Sequence, residues 1–202
     1  MPIHQLFPCP VYFATLEREL TKKELKTINA YKTKTYKNFG NTTSNDSYVL
    51  ENKPLQNLKK YLTKTVIDYF NKVVCTDNLI VPYITQSWIN YTATNQFHHR
   101  HSHSNSYISG VFYINANKEV DTISFYKANY PAIDLYKTKY NIFNSNSWWY
   151  PVKTGDIILF PSSLEHAVDK KKGTNIRISL SFNVFLKGTI GNKFKKTELV
   201  IK

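Results

Sequence analysis

The histidines of this chain are concentrated in one short stretch. Residues 97–109 read FHHRHSHSNSYIS and contain four of the six histidines, His98, His99, His101 and His103. An imidazole nitrogen is a ligand for divalent first-row metals, and residues two apart leave the same face of an extended segment. The spacing therefore predicts that His101 and His103 share one ion, while His98 and His99 point to opposite faces.

A further histidine, His166, could supply a third ligand in addition to His101 and His103. His166 lies in GDIILFPSSLEHAV, where a strand pattern leads into a turn opened by proline and the histidine begins the next strand. A catalytic metal site takes ligands from more than one strand and keeps coordination positions open. His101, His103 and His166 are therefore the predicted metal ligands and the predicted catalytic centre.

Arg177 is one of only three arginines in the chain and follows His166 by eleven residues. It shares the polar face of a predicted strand with Ser179, so that a guanidinium and a hydroxyl point the same way. Together they form a fork for a carboxylate. The alternative for Arg177 is a surface salt bridge.

The elements that must position these residues are predicted to be strands. From about Leu79 the hydrophobic period changes to two, and the C-terminal two-thirds is predicted to be β-structure. The segment TNIRISLSFNVFL alternates apolar and polar residues throughout. Its polar face either meets water, as in a sandwich, or lines the pocket of a small barrel with an open mouth.

The N-terminal part is predicted to be helical support. Thr21 and Glu24 form a capping box that starts a helix ending near Tyr31, and Pro54 opens a longer helix. An apolar stripe at three- and four-residue spacing marks the packed face of that second helix. Its members are Leu55, Leu58, Leu62, Val66, Tyr69, Phe70 and Val73.

Length and composition predict one domain in three parts. The 202 residues are 42% hydrophobic, enough for one sizeable core. We expect helical support in residues 1–78, a β core in 79–186 and a basic tail in 187–202. The apolar runs are far shorter than the roughly 20 residues that cross a bilayer, and the opening residues lack a signal-peptide pattern. With only two cysteines, far apart, a cytoplasmic protein with free thiols is expected.

The formal charge of +13 has two interpretations. Most of the positive charge is lysine spread along the chain, which indicates a solvated surface. Only DKKKG and the end NKFKKTELVIK are locally dense, and these could contact a polyanion such as nucleic acid. A noncatalytic polyanion-binding β-barrel is therefore one alternative function.

The order of these motifs resembles that of a known enzyme superfamily. H-x-H, then GDIILFPSSLEH, then RIS is similar to the iron(II) and 2-oxoglutarate-dependent oxygenases, and WINY through SYISGVFYI resembles a largely uncharacterised group of them from bacteria and phages. The resemblance covers about residues 86–186. It implies a mainly β (α+β) protein with N-terminal helices and a double-stranded β-helix, a jelly-roll or cupin-like barrel, in a bacterial or phage-infected cytoplasm.

The resemblance also implies a cofactor and a cosubstrate. Fe(II) would be held by the three histidines, and 2-oxoglutarate by Arg177 and Ser179, with Asn90 reaching its other carboxylate. Oxidative decarboxylation of 2-oxoglutarate to succinate would be coupled to hydroxylation of a substrate that the sequence does not identify. One departure is that His103 replaces the usual carboxylate ligand. The aromatic residues predicted to wall the pocket are Trp88, Tyr91, Tyr113, Trp148 and Trp149.

A second alternative rests on the same motif. GDIILFPSSLEH also resembles the second cupin motif, and cupins include three-histidine metal sites that need no 2-oxoglutarate. Arg177 with Ser179 distinguishes the two families, because a cupin has no need of a carboxylate fork. Oligomeric state is left open by the sequence.

Overall fold

The computed structural model describes residues 2–76, 79–128, 133 and 135–202. These residues form two α-helices and twelve β-strands. The helices are α1 (Lys22–Ala30) and α2 (Gln56–Val74). The strands are β1 (Tyr12–Thr15), β2 (Thr35–Lys37), β3 (Thr42–Ser44), β4 (Ile80–Thr92), β5 (His98–His101), β6 (Ile108–Asn115), β7 (Thr122–Tyr126), β8 (Ser147–Pro151), β9 (Asp156–Pro161), β10 (His166–Val168), β11 (Arg177–Ile190) and β12 (Leu199–Ile201). The predicted fold class, mainly β with two N-terminal helices, is confirmed.

The strands form two antiparallel sheets that pack face to face. The large sheet has the order β1-β9-β6-β11-β4-β3-β2, with β12 paired to β11, and the small sheet has the order β5-β10-β7-β8. A buried cluster joins Tyr113 and Phe160 of the large sheet to Ile123 and Phe125 of the small one. Several neighbouring strands, such as β6 with β11 and β5 with β10, are distant in sequence, as expected when the chain alternates between two sheets of a jelly roll.

The two faces of β11 have different neighbours, because its residues alternate. Leu180, Phe182 and Val184 are fully buried in the core that includes Leu58 and Leu62 of α2. The opposite face points to the space between the sheets. Each fully buried leucine or phenylalanine contributes roughly 1.5–3 kcal/mol, so this packing holds the orientation of the strand.

The helical predictions are confirmed with small differences. Thr21 and Glu24 form the capping box of α1. Pro54 lies in the 3-10 turn Lys53–Leu55 that leads directly into α2. The apolar stripe is buried except for Val73, which is 43% exposed in the last turn of the helix.

Four short strands were not predicted. The hairpin of β2 and β3 extends the large sheet beyond β4, β5 lies in the histidine cluster, and β12 returns antiparallel to β11. They have three or four residues and no apolar alternation, so periodicity does not identify them. In the hairpin turn, Gly40 has a φ of +93°, and a Cβ there would lie 2.7 Å from the Phe97 carbonyl oxygen. Glycine is required at this position.

No α-helix within the described ranges is long and apolar enough to cross a membrane.

One of the three arginines, Arg18, forms a salt bridge with the buried carboxylate of Glu24. The Glu24 side chain is 1% exposed, accepts from the Thr21 N–H at 2.7 Å, and receives Arg18 Nη1 and Nη2 at 2.8 and 2.7 Å. Arg18→Ala leaves a buried carboxylate without its cation, and we expect the free energy of unfolding to fall by about 1–3 kcal/mol in urea denaturation.

Arg100→Ala is the matched control. Arg100 pairs with Glu165, but both side chains are exposed by 40% or more, so a loss below about 1 kcal/mol is expected. Equal losses in the two variants would contradict the importance assigned to burial of Glu24.

Candidate metal centre

The pairing of β5 with β10 brings distant histidines together. His101 lies directly opposite His166, 65 residues later in the chain, and β10 is held on its other side by β7. Directly opposed residues of an antiparallel pair have Cβ atoms about 4.5–5.5 Å apart. His103 follows the end of β5, where its backbone N–H donates to the Ser162 carbonyl at 3.0 Å. Strand register therefore places three imidazoles side by side.

The three rings converge through one nitrogen each. His101 Nε2 lies 3.1 Å from His103 Nε2, and one ring nitrogen from each of the three histidines lies within 4.8 Å of the others. In each ring Nδ1 has an oxygen partner, which leaves Nε2 as the lone-pair nitrogen. The partners are the His99 carbonyl at 2.7 Å for His101, Asn183 Oδ1 at 2.5 Å for His103 and the Leu164 carbonyl at 3.1 Å for His166.

Burial keeps these rings neutral. Desolvation lowers the pKa of His166 to about 3, and it lowers the pKa values of His101 and His103 below their ordinary value. Two neutral rings whose Nε2 lone pairs face each other at 3.1 Å repel unless a cation lies between them. Two bonds of about 2.1 Å at a right angle would separate the nitrogens by about 3.0 Å. The donor set therefore fits one divalent ion.

Arg177 lies at the inner end of the same cavity. It is 3% exposed, so the surface salt bridge considered for it is wrong. Nη1 donates to the Thr122 carbonyl at 3.1 Å, Nε is buried without a hydrogen-bond partner among the described residues, and the guanidinium lies 5.9 Å from the Tyr113 ring centroid. Burial lowers the pKa of the guanidinium. A buried cation with an unused donor fits an anionic ligand, such as a carboxylate.

Ser179 and Asn90 lie beside Arg177 as the sequence predicts. Ser179 is 3% exposed and is paired across β4 and β11 with Asn90. Asn90 Nδ2 donates to Ser181 Oγ at 3.0 Å, while Asn90 Oδ1 is buried and unpaired. The amide nitrogen carries two N–H donors and uses one of them on Ser181, so a second donor remains. The role predicted for Asn90, a contact with a carboxylate of 2-oxoglutarate, remains a prediction.

Thr92, which the sequence analysis did not single out, is a buried neighbour of Arg177 that does not itself line the cavity. It lies opposite Arg177 in the register of β4 and β11, is fully buried, and its hydroxyl has no hydrogen-bond partner among the described residues. Its strand parity with Asn90, two residues earlier, is the signal that could have identified it.

Two of the five aromatic residues predicted to wall the pocket line this cavity. They are Trp88 and Tyr113. Tyr91 has the opposite parity to Trp88 and donates its hydroxyl to the Ile28 carbonyl on the helical side. Trp148 and Trp149 lie on β8, where Trp149 is 61% exposed, and neither lines the cavity. The wall predicted for those three residues is wrong, because strand parity or strand position directs them elsewhere.

The sequence left the role of His98 open, and the structure places this residue in the lining of the cavity. On β10 the partners His166 and Val168 are two residues apart, while on β5 their partners His101 and His98 are three apart. The extra residue is a β-bulge, which returns His98 to the face that His101 occupies. The two rings stack with centroids 4.6 Å apart at 21°. Residue spacing alone cannot reveal a bulge.

The metal centre opens to a mouth bounded by the β2–β3 hairpin. His98, His101 and His103 form its floor, and Asn183, the partner of His103, also lines it. The remaining walls are aromatic, hydroxyl and amide groups, including Tyr36, Asn38, Ser47, Trp88, Ser102 and Ser104. Lysine, arginine, aspartate and glutamate are absent from the described lining.

Comparison with known proteins shows which family the central segment resembles. A family model described as "Putative 2OG-Fe(II) oxygenase" matches residues 86–183. A search of curated proteins found no match.

Solved structures share the fold at low identity. An oxidoreductase of the 2OG-Fe(II) oxygenase family from Burkholderia pseudomallei has a TM-score of 0.55 at 13% identity, covering 85% of this chain and 83% of that chain. HygX from Streptomyces hygroscopicus, with nickel, 2-oxoglutarate and hygromycin B bound, has a TM-score of 0.56 at 10% identity, covering 87% and 82%. The collagen prolyl hydroxylase of Paramecium Bursaria Chlorella virus-1, in complex with 2-oxoglutarate, has a TM-score of 0.52 at 10% identity, covering 86% and 94%.

These likenesses confirm the double-stranded β-helix, and the family model covers the segment that holds all three histidines, Arg177 and Ser179. Over residues 86–183, which are just under half of the chain, the sequence is thus similar to the 2OG-Fe(II) oxygenases, and its fold is theirs.

Proposed function

We propose that this protein is an Fe(II)/2-oxoglutarate-dependent dioxygenase that hydroxylates an as yet unidentified substrate. The observation that carries this proposal is one cavity with a convergent three-histidine centre at one end and a buried, incompletely paired Arg177 at the other. The first end fits a divalent ion and the second fits a carboxylate. A ligand with a metal-chelating end and a second carboxylate satisfies both.

His101, His103 and His166 would hold the iron. Three protein nitrogens leave half of an octahedral coordination sphere for other ligands. Because the imidazoles are neutral, the protein supplies no negative charge at the metal, and a dianionic cosubstrate would balance it. When bound, iron with 2-oxoglutarate and oxygen supplies the oxidising chemistry, in which 2-oxoglutarate becomes succinate and carbon dioxide and a C–H bond becomes C–OH.

Arg177 and Ser179 would orient the far carboxylate of the cosubstrate. The guanidinium retains an unused Nε donor, and its Nη1 contact with the Thr122 carbonyl holds the group in place. Phe160 and Ile123 form apolar walls of the same cavity. Such walls exclude water and so strengthen the ionic hydrogen bonds and protect reactive species.

The mouth is the place for the primary substrate, because His101 and His103 line it as well as the inner cavity. Its described lining is aromatic and polar, and it contains no lysine, arginine, aspartate or glutamate. This lining favours an uncharged polar substrate group over a phosphate. It offers no cation for the polyanion that the lysine content suggested.

Metal analysis tests the ligand assignment. We expect one divalent ion per chain in protein prepared without a tag, and Fe(II) to support activity. His166→Ala leaves two of the three histidine ligands, and the double variant His101→Ala, His103→Ala leaves one. Both variants should lose the ion, because fewer nitrogens hold it less tightly. His4→Ala, at an exposed position, is the control. A stoichiometry that stays near one in either ligand variant would refute the assignment.

Calorimetry tests the role of Arg177. Arg177→Gln removes a charge-assisted contact, so 2-oxoglutarate should bind the metal-loaded protein more weakly by ~2–4 kcal/mol, or roughly 30- to 1,000-fold. Arg177→Lys should recover only part of this, because lysine retains the charge but not the planar fork. Metal content should not change in either variant.

Arg100→Gln is the matched control, because Arg100 pairs with Glu165 outside the cavity. Its 2-oxoglutarate affinity should equal that of the wild type. Absence of 2-oxoglutarate binding by the wild type, or equal binding by Arg177→Gln, would reject the proposal and favour the cupin-like alternative.

A further inference from the structure

His98 stands at the boundary between the two parts of the site. Its side chain lines both the inner cavity, which ends at Arg177, and the mouth above the metal centre. Its ring stacks on His101 and is not one of the three convergent metal-binding groups. A ligand that extends from Arg177 to the metal passes this ring.

The polar groups of His98 are not used within the protein. Each of the three convergent histidines has an oxygen partner at Nδ1, whereas neither ring nitrogen of His98 has a hydrogen-bond partner among the described residues. An imidazole carries at least one N–H donor in either protonation state, so the His98 ring has a donor to offer. A donor that lines both parts of the site and has no partner among the described residues is available to a ligand.

Several polar groups near the metal already have partners within the protein. The Asn90 amide nitrogen donates to Ser181, and the Nδ1 atoms of His101 and His103 have acceptors elsewhere. A chelating carboxylate uses one oxygen on the metal and leaves the other in need of a donor. His98 is placed to supply it.

We propose that His98 donates a hydrogen bond to the metal-proximal carboxylate of the cosubstrate and acts as a positioning residue. This inference rests on the proposed function. The β-bulge in β5 is then a functional feature, because without the extra residue His98 would face away from His101.

Two substitutions separate hydrogen bonding from packing. His98→Phe retains an aromatic ring that can stack on His101 but has no donor, whereas His98→Gln retains a donor near the position of Nε2 but cannot stack. Binding of 2-oxoglutarate to the Ni(II)-loaded protein is measured by calorimetry, so that catalysis is not required. His99→Phe is the matched control, because His99 adjoins His98 but does not line either part of the site.

The expected result is a Kd raised about 10- to 100-fold in His98→Phe, as for loss of a hydrogen bond to a charged group. His98→Gln should lie within about threefold of the wild type, His99→Phe should be unchanged, and all variants should bind one Ni(II). Equal affinity of His98→Phe and the wild type overturns the proposal. Equal weakening in both His98 variants also overturns it, because ring packing then explains the effect.

Loss of Ni(II) from both His98 variants would make His98 a metal ligand and would equally overturn the positioning role. Failure of this inference is distinguishable from failure of the proposed function. If the wild type binds 2-oxoglutarate and Arg177→Gln weakens it while His98→Phe does not, only the role of His98 is rejected. If the wild type does not bind 2-oxoglutarate, both are rejected.

Discussion

The alternation of side chains along β11 is the constraint on which the site depends. One face of the strand is held by Leu180, Phe182 and Val184 against the helices. The other face presents Arg177, Ser179, Ser181 and Asn183 towards the small sheet. A shift of register by one residue would exchange these faces and bury four polar groups in an apolar core. The hydrophobic packing of the helices therefore fixes the position of the proposed anion-binding groups, which lie on the opposite face of the strand.

Much of this arrangement could be predicted because it follows local rules. Period-two alternation identified β11 and its polar face, and the capping box identified the start of α1. The spacing of His101, His103, His166 and Arg177 was informative because it follows from strand geometry and turn length. The resemblance to a known superfamily then gave these residues a shared purpose that spacing alone does not establish.

The remainder required knowledge of which strands pair and in what register. The β-bulge that returns His98 to the cavity depends on its pairing with β10, 68 residues after the start of β5. Asn183 reaches His103 only because the two sheets face each other. The prediction that Trp148 and Trp149 wall the pocket was wrong for a related reason. Both residues belong to β8, and the sequence identifies this strand without indicating where it lies in the fold. Non-local contacts of this kind leave no period in the sequence.

The charges of the site couple its two ligands. The three imidazoles are neutral, and Asp121, whose charge acts on Arg177, is itself paired with buried Lys171 at 3.3 Å. A divalent ion would therefore add its charge to that of Arg177 with no carboxylate ligand to offset either. A dianion that reaches both cations relieves this imbalance, so each ligand should raise the affinity of the other by the same factor. With His103 in place of a carboxylate, the metal retains its full charge, and this coupling should be stronger than in a site that contains an acidic ligand.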